Sequence, residues 1–142
     1  GALEGELGIK RLESHWNTFV MDGLGVRCVS TSDWVTAAET AECVMALDAL
    51  GMKDRALDLF AIAQGHRRAD GSYWTGLAYP ERITFPDAET TSYTAAAIIL
   101  AADALSSTSP AAGLFRGETL GKTLDLAGPR CEQRATGDCN AP

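Results

Sequence analysis

Glu39 and Glu42 stand three residues apart, so a helix places both carboxylates on one face. Asp87 and Glu89 precede a later apolar segment and are placed to face the same space. Paired carboxylates are the working parts of glycoside cleavage, in which one protonates the departing oxygen while the other activates water or attacks. Trp34, Trp74, Tyr79, Phe85 and Tyr93 offer the flat apolar surfaces on which a sugar ring or another ligand can rest. The candidate catalytic residues are therefore Glu39, Glu42, Asp87 and Glu89, and the candidate substrate-binding residues are those five aromatics. Each also has a plainer reading. Acidic residues near a helix start are favoured by the helix dipole, and Tyr73 and Trp74 are suited to stapling a loop against helices. Glu42 lies further inside an apolar helix, and a buried carboxylate needs a partner. Arg67, Arg68 and Arg82 are the arginines placed to supply it.

The elements that must position these groups read as four helices. The first spans roughly residues 3 to 20, where Ile9, Leu12, Trp16 and Phe19 mark one apolar face. Gly23 and Gly25 break it. The stretch Val26 to Ser30 has strand-like alternation but is short. Ser32 or Asp33 would cap a second helix running from Trp34 to Leu50, which Gly51 ends. The third helix runs from Lys53 to about Gln64 and is amphipathic. A long loop follows from Gly65 to Ala88, punctuated by the Asp70-Gly71 turn, and the fourth helix covers about Thr90 to Leu105. Helices two and four start polar and then become apolar on nearly every side, which predicts burial on every side. The order is outer, inner, outer, inner.

That pattern resembles the repeat of the terpene cyclases and protein prenyltransferases, and more narrowly a group of actinobacterial prenyltransferase-like proteins. Phe60, Gln64, Gly71 and the Tyr73-Trp74 pair occupy the places of the repeat's aromatic, glutamine and Gly-x-Trp-type turn, and the resemblance covers about Trp16 to Phe115. It implies an all-α fold of antiparallel helical hairpins, of the α/α-toroid or six-hairpin type. Four helices make only an arc of such a barrel. The resemblance also implies a pocket for an apolar isoprenoid-type metabolite and, for an enzyme, a transferase or isomerase. The Asp-rich acid motif of the cyclases is absent, as is a recognisable zinc-ligand set, so no catalytic residue of either activity carries over.

Organisation and partners follow from the same reading. Residues 1–115 are expected to form the helical domain and 116–142 an irregular tail. The formal net charge of -7 argues against nucleic acid as a partner, and no apolar run is long enough to span a bilayer. Cys28, Cys43, Cys131 and Cys139 lack metal-ligand spacing, so neither metal nor cofactor is expected. All four are read as reduced in a cytoplasmic protein, and His15 and His66 are read as solvent-facing. Apolar inner helices without a closed barrel require cover, from a homo-oligomer or from a longer chain. Three functions stay open: an isoprenoid-type prenyltransferase or cyclase-like domain, a carbohydrate-active six-hairpin hydrolase or epimerase using the paired carboxylates, and a non-catalytic interaction domain. The ligand is accordingly a small molecule, apolar or sugar-like.

Overall fold

The computed structural model describes residues 5–118. It contains the four helices, α1 (Gly5–Phe19), α2 (Ala37–Ala49), α3 (Lys53–Ala63) and α4 (Ser92–Ser106). Between them lie five short strands, β1 (Val20–Met21), β2 (Gly25–Arg27), β3 (Trp34–Thr36), β4 (Gly76–Ala78) and β5 (Ile83–Thr84). The strands form one antiparallel sheet in sequence order. This overturns the all-α toroid expected from the sequence: the fold is a mixed α/β one. The physical reason is the length of the strands. Two or three residues cannot display a period-two pattern, although the stretch beginning at Val26 hinted at it. Trp34 to Thr36 were read as the first turn of α2 but pair instead with β4, in the register Trp34 with Ala78 and Thr36 with Gly76.

The cap of α2 moves accordingly from Ser32 or Asp33 to Thr36. Thr40, fully buried, fastens helix to sheet: its hydroxyl donates to the Thr36 carbonyl at 2.6 Å and accepts from the Val26 amide at 2.9 Å. Gly25 permits that approach. A Cβ there would lie 2.8 Å from both Thr40 Oγ1 and Val35 Cγ1, and its φ of +124° disfavours any side chain.

The core is the seam where α2 meets α3 and α4, built from Ala38, Ala41, Val44, Leu47, Leu59, Ala97 and Ala101. Its alanines leave little bulk between the helices, and burying a residue such as Leu47 contributes about 1.5–3 kcal/mol. α2 and α4 run parallel. Near their starts Glu42 meets Tyr93, and near their ends Arg116 bridges Asp48 to the Ala104 carbonyl. α1 is an outer helix with only Gly8 buried, as its amphipathic pattern predicts. α4 departs from expectation, because Ile99 is 66% and Tyr93 61% exposed. One side of it is open.

His66 is a second correction, being 1% exposed rather than solvent-facing. A short 3₁₀ turn (Gln64–His66) tucks its ring beneath β3, with Nε2 3.3 Å from the Val35 carbonyl. Burial holds its pKa below the usual 6.5, Arg82 pushes the same way, and the Val35 and Ala63 carbonyls oppose them. A histidine depressed in the folded state contributes stability that is complete above its unfolded pKa and is lost as pH falls below it. The urea midpoint is expected to drop between pH 7 and pH 5, and less steeply in His66→Gln. Parallel profiles for the two proteins would contradict this assignment.

Candidate active site

The polar starts of α2 and α4 gather at one end of the molecule through a chain of backbone contacts. Ala37 N donates to Thr75 O at 3.1 Å, and Thr75 N donates to Glu89 O at 3.0 Å. Thr75 therefore ties the start of α2 to the loop that leads into α4. Three of the candidate acids lie here on two elements, Glu39 and Glu42 on α2 and Glu89 in the loop, and Asp87 sits two residues earlier in that loop.

The four acids differ in how they are held. Glu39 is half-buried and accepts a hydrogen bond from the Thr36 hydroxyl. It also faces Cys28, whose thiol pKa is raised by burial and then by the Glu39 charge. Glu42 is exposed, and its carboxylate accepts from the Tyr93 hydroxyl across the α2–α4 seam. This replaces the expected arginine partner. Arg82 instead donates to the Gly65 carbonyl at 2.9 Å, and Arg68 lies over the Trp74 ring at 4.4 Å. Glu42 raises the Tyr93 pKa, chiefly through their hydrogen bond and then through its charge. Asp87 and Glu89 are exposed, and Asp87 has the left-handed φ of 47° that aspartate tolerates in turns.

Three of the five candidate aromatics converge. Trp34, Tyr79 and Phe85 line a cleft of about 440 Å³ together with Ser32, Asp33 and Ala78. Trp34 and Phe85 meet edge to face with centroids 4.7 Å apart, and Trp34 Nε1 donates to the Phe85 carbonyl at 3.1 Å. Asp33 brings a carboxylate to this cleft and pairs with Arg27 at 3.2 Å. The sequence marks it only as a candidate helix cap. Tyr93 stands elsewhere, with Glu42, at one end of a groove between α2 and α4 of about 500 Å³. Trp74 belongs to neither cavity; its backbone N donates to His66 O at 3.0 Å and its ring carries Arg68. Tyr73 donates to Gln64 Oε1 at 2.7 Å, so that pair staples the loop to the end of α3.

Cys43 is half-buried against the core, and burial pushes its thiol up to about 11. Cys131 and Cys139 lie outside the described residues. Among the described residues no group of three or more His, Cys, Asp or Glu side chains is placed to hold a metal ion. No helix among them is long and apolar enough to cross a membrane.

An aromatic cleft with a carboxylate at its rim, and acids at the start of α2 and in the loop before α4, are residue types that sugar chemistry uses. No protein-family model matches the chain. It is 52% identical over 125 residues to the MMP endo-(1,4)-3-O-methyl-alpha-D-mannosidase of Mycolicibacterium hassiacum. The match covers 88% of this chain and 34% of that enzyme, so the chain spans about a third of the length of the curated relative. Together with the antiparallel sheet, this similarity overturns the resemblance to prenyltransferases and terpene cyclases. The Phe60, Gln64 and Gly71 spacing that suggested it belongs to an ordinary helix end, staple and turn.

Proposed function

We propose that this chain is part of a glycoside hydrolase that cleaves α-1,4-linked chains of 3-O-methylmannose at internal bonds. The observation that carries the reading is the 52% identity to a mannosidase of that description. The site supports it independently. Trp34, Tyr79 and Phe85 present aromatic faces to a cleft that also holds the Asp33 carboxylate, an arrangement suited to a sugar ring with an apolar face and a polar rim.

The chemistry requires one acid and one base or nucleophile. A carboxylic acid passes its proton to the glycosidic oxygen as the bond to the anomeric carbon breaks, and a carboxylate activates water or attacks that carbon. Glu42 is the best candidate for the anionic role, since its carboxylate is exposed at the seam and accepts a hydrogen bond from the Tyr93 hydroxyl. Glu39 is engaged by Thr36 and Cys28, and its part is to hold the helix start. Asp87 and Glu89, on the loop, are the candidates for the acid.

Incubating the full-length protein with an α-1,4-linked 3-O-methylmannose oligosaccharide tests the reading. Mass spectrometry should show shorter oligosaccharides as the first products. Release of monosaccharide alone would rule out internal cleavage, and an unchanged substrate would remove the activity.

A further inference from the structure

The groove between α2 and α4 plays no part in the aromatic cleft, and its chemistry is different. Met45, Ala46, Ala49, Ala96, Leu100 and Phe115 wall it, and its polar groups are Glu42 and Tyr93 at one end. From Glu42 to Ala49 the groove follows two turns of α2, a length of about 10 Å at 1.5 Å per residue. Alanines on both helices keep its floor low, while Leu100 and Phe115 raise its far wall. Away from Glu42 and Tyr93 the side chains of these walls offer no hydrogen-bond partner to a sugar hydroxyl laid against them. A methyl ether has no donor to satisfy and gains from burial.

We infer that the α2–α4 groove is a specificity site that receives the O-methyl groups of the substrate, with Ala96 and Ala49 setting the room for them. The inference rests on the reading of the chain as part of a hydrolase of 3-O-methylmannosides. It adds the place where methylation is read. Continuity with the candidate acid supports this occupant, because Glu42 lies at the groove's end and a sugar bound there reaches the carboxylate directly.

The test fills the groove. Ala96 is exposed on α4, so Ala96→Leu extends into the groove without disturbing the core, and Ala96→Ser is the small control. Two measurements are made on the full-length protein. The first is the ratio of kcat/KM for methylated over unmethylated α-1,4-mannooligosaccharide. The second is the ratio of affinities for methyl 3-O-methyl-α-mannoside over methyl α-mannoside, by calorimetry. A methyl group in an apolar site is worth roughly 10–200-fold in discrimination. Both ratios are expected to fall at least about tenfold in Ala96→Leu and to persist in Ala96→Ser. If neither oligosaccharide is cleaved but the affinity ratio still falls, the hydrolase reading fails and the groove assignment stands. Ratios unchanged in Ala96→Leu overturn the assignment. So does a dimer in the parent protein that Ala96→Leu dissociates, since the groove would then belong to a second copy of the chain.

Discussion

On the proposed function, Glu42→Gln should lower kcat on the methylmannose oligosaccharide by roughly 10²–10⁴-fold, the usual span for removing an acid–base group. KM should move much less. Glutamine keeps the shape of glutamate and can still accept a hydrogen bond from Tyr93 through its carbonyl oxygen, so the α2–α4 seam stays closed. Because Glu42 is exposed, the substitution should leave stability within about 0.5 kcal/mol. Loss of turnover with retained folding therefore points to chemistry. The pH profile makes the distinction sharper, since a carboxylate that works as base or nucleophile produces the acidic limb of kcat/KM. That limb should disappear in Glu42→Gln. Turnover within a few-fold of the parent, with the limb intact, would leave Glu42 as a structural partner of Tyr93 and shift attention to Asp87 and Glu89.

The second large effect is on stability. Gly76 lies in β4 opposite Thr36, and a Cβ there would sit 2.1 Å from Trp34 Nε1 and 2.9 Å from the Val35 carbonyl oxygen. Neither neighbour yields cheaply. Moving the indole breaks its 3.1 Å bond to the Phe85 carbonyl and its edge-to-face packing, while moving the carbonyl opens the β3–β4 ladder. Overpacking of this kind costs about 1–3 kcal/mol, and the lost hydrogen bond adds about 1 kcal/mol. Gly76→Ala should lower the urea midpoint by a corresponding amount and, on the proposed function, weaken sugar binding in the Trp34 cleft. Gly65→Ala is the matched control, since its nearest neighbour is Arg82 Nη2 at an ordinary 3.7 Å. Equal midpoints for the two variants would show that the indole gives way freely.

The helices were legible for two reasons: α1 and α3 carry an apolar face at helical spacing, and α2 and α4 are mostly apolar over 13 and 15 residues, longer than a short strand. The sheet was not. Its strands are too short for alternation, and Trp34 to Thr36 precede an apolar helix with no intervening breaker, so they merged into it. The fold-level resemblance failed for the same reason: helices alone suggested a toroid, and the pairing that contradicts it lies in loops. His66 was misread from its neighbours Arg67 and Arg68, because local polarity carries no information about the turn that folds its ring under β3. Glu42 was misread in the opposite sense. Apolar neighbours suggested burial, and Ala41, Val44 and Leu47 are buried, but Glu42 itself faces the groove lined by Met45, Ala46 and Ala49. Among the aromatics, Tyr79 and Phe85 are singled out in the sequence by their place in a long loop, and with Trp34 they line one cleft. Trp74 stands apart from them, carrying Arg68 on its ring and lining a separate cavity with Arg68, Ala69 and Asp70.

The contact between Arg116 and Asp48 spans 68 residues of chain and closes over a carboxylate that is only 6% exposed. Arg116 Nη1 reaches Asp48 at 2.5 Å and the Ala104 carbonyl at 3.2 Å. During synthesis, α2 emerges long before this guanidinium does. Asp48 must stay hydrated in the meantime, because an unpaired charge resists leaving water. The far ends of α2 and α4 are therefore sealed by a residue outside both helices, and a chain that lacks residue 116 leaves the Asp48 charge without this partner.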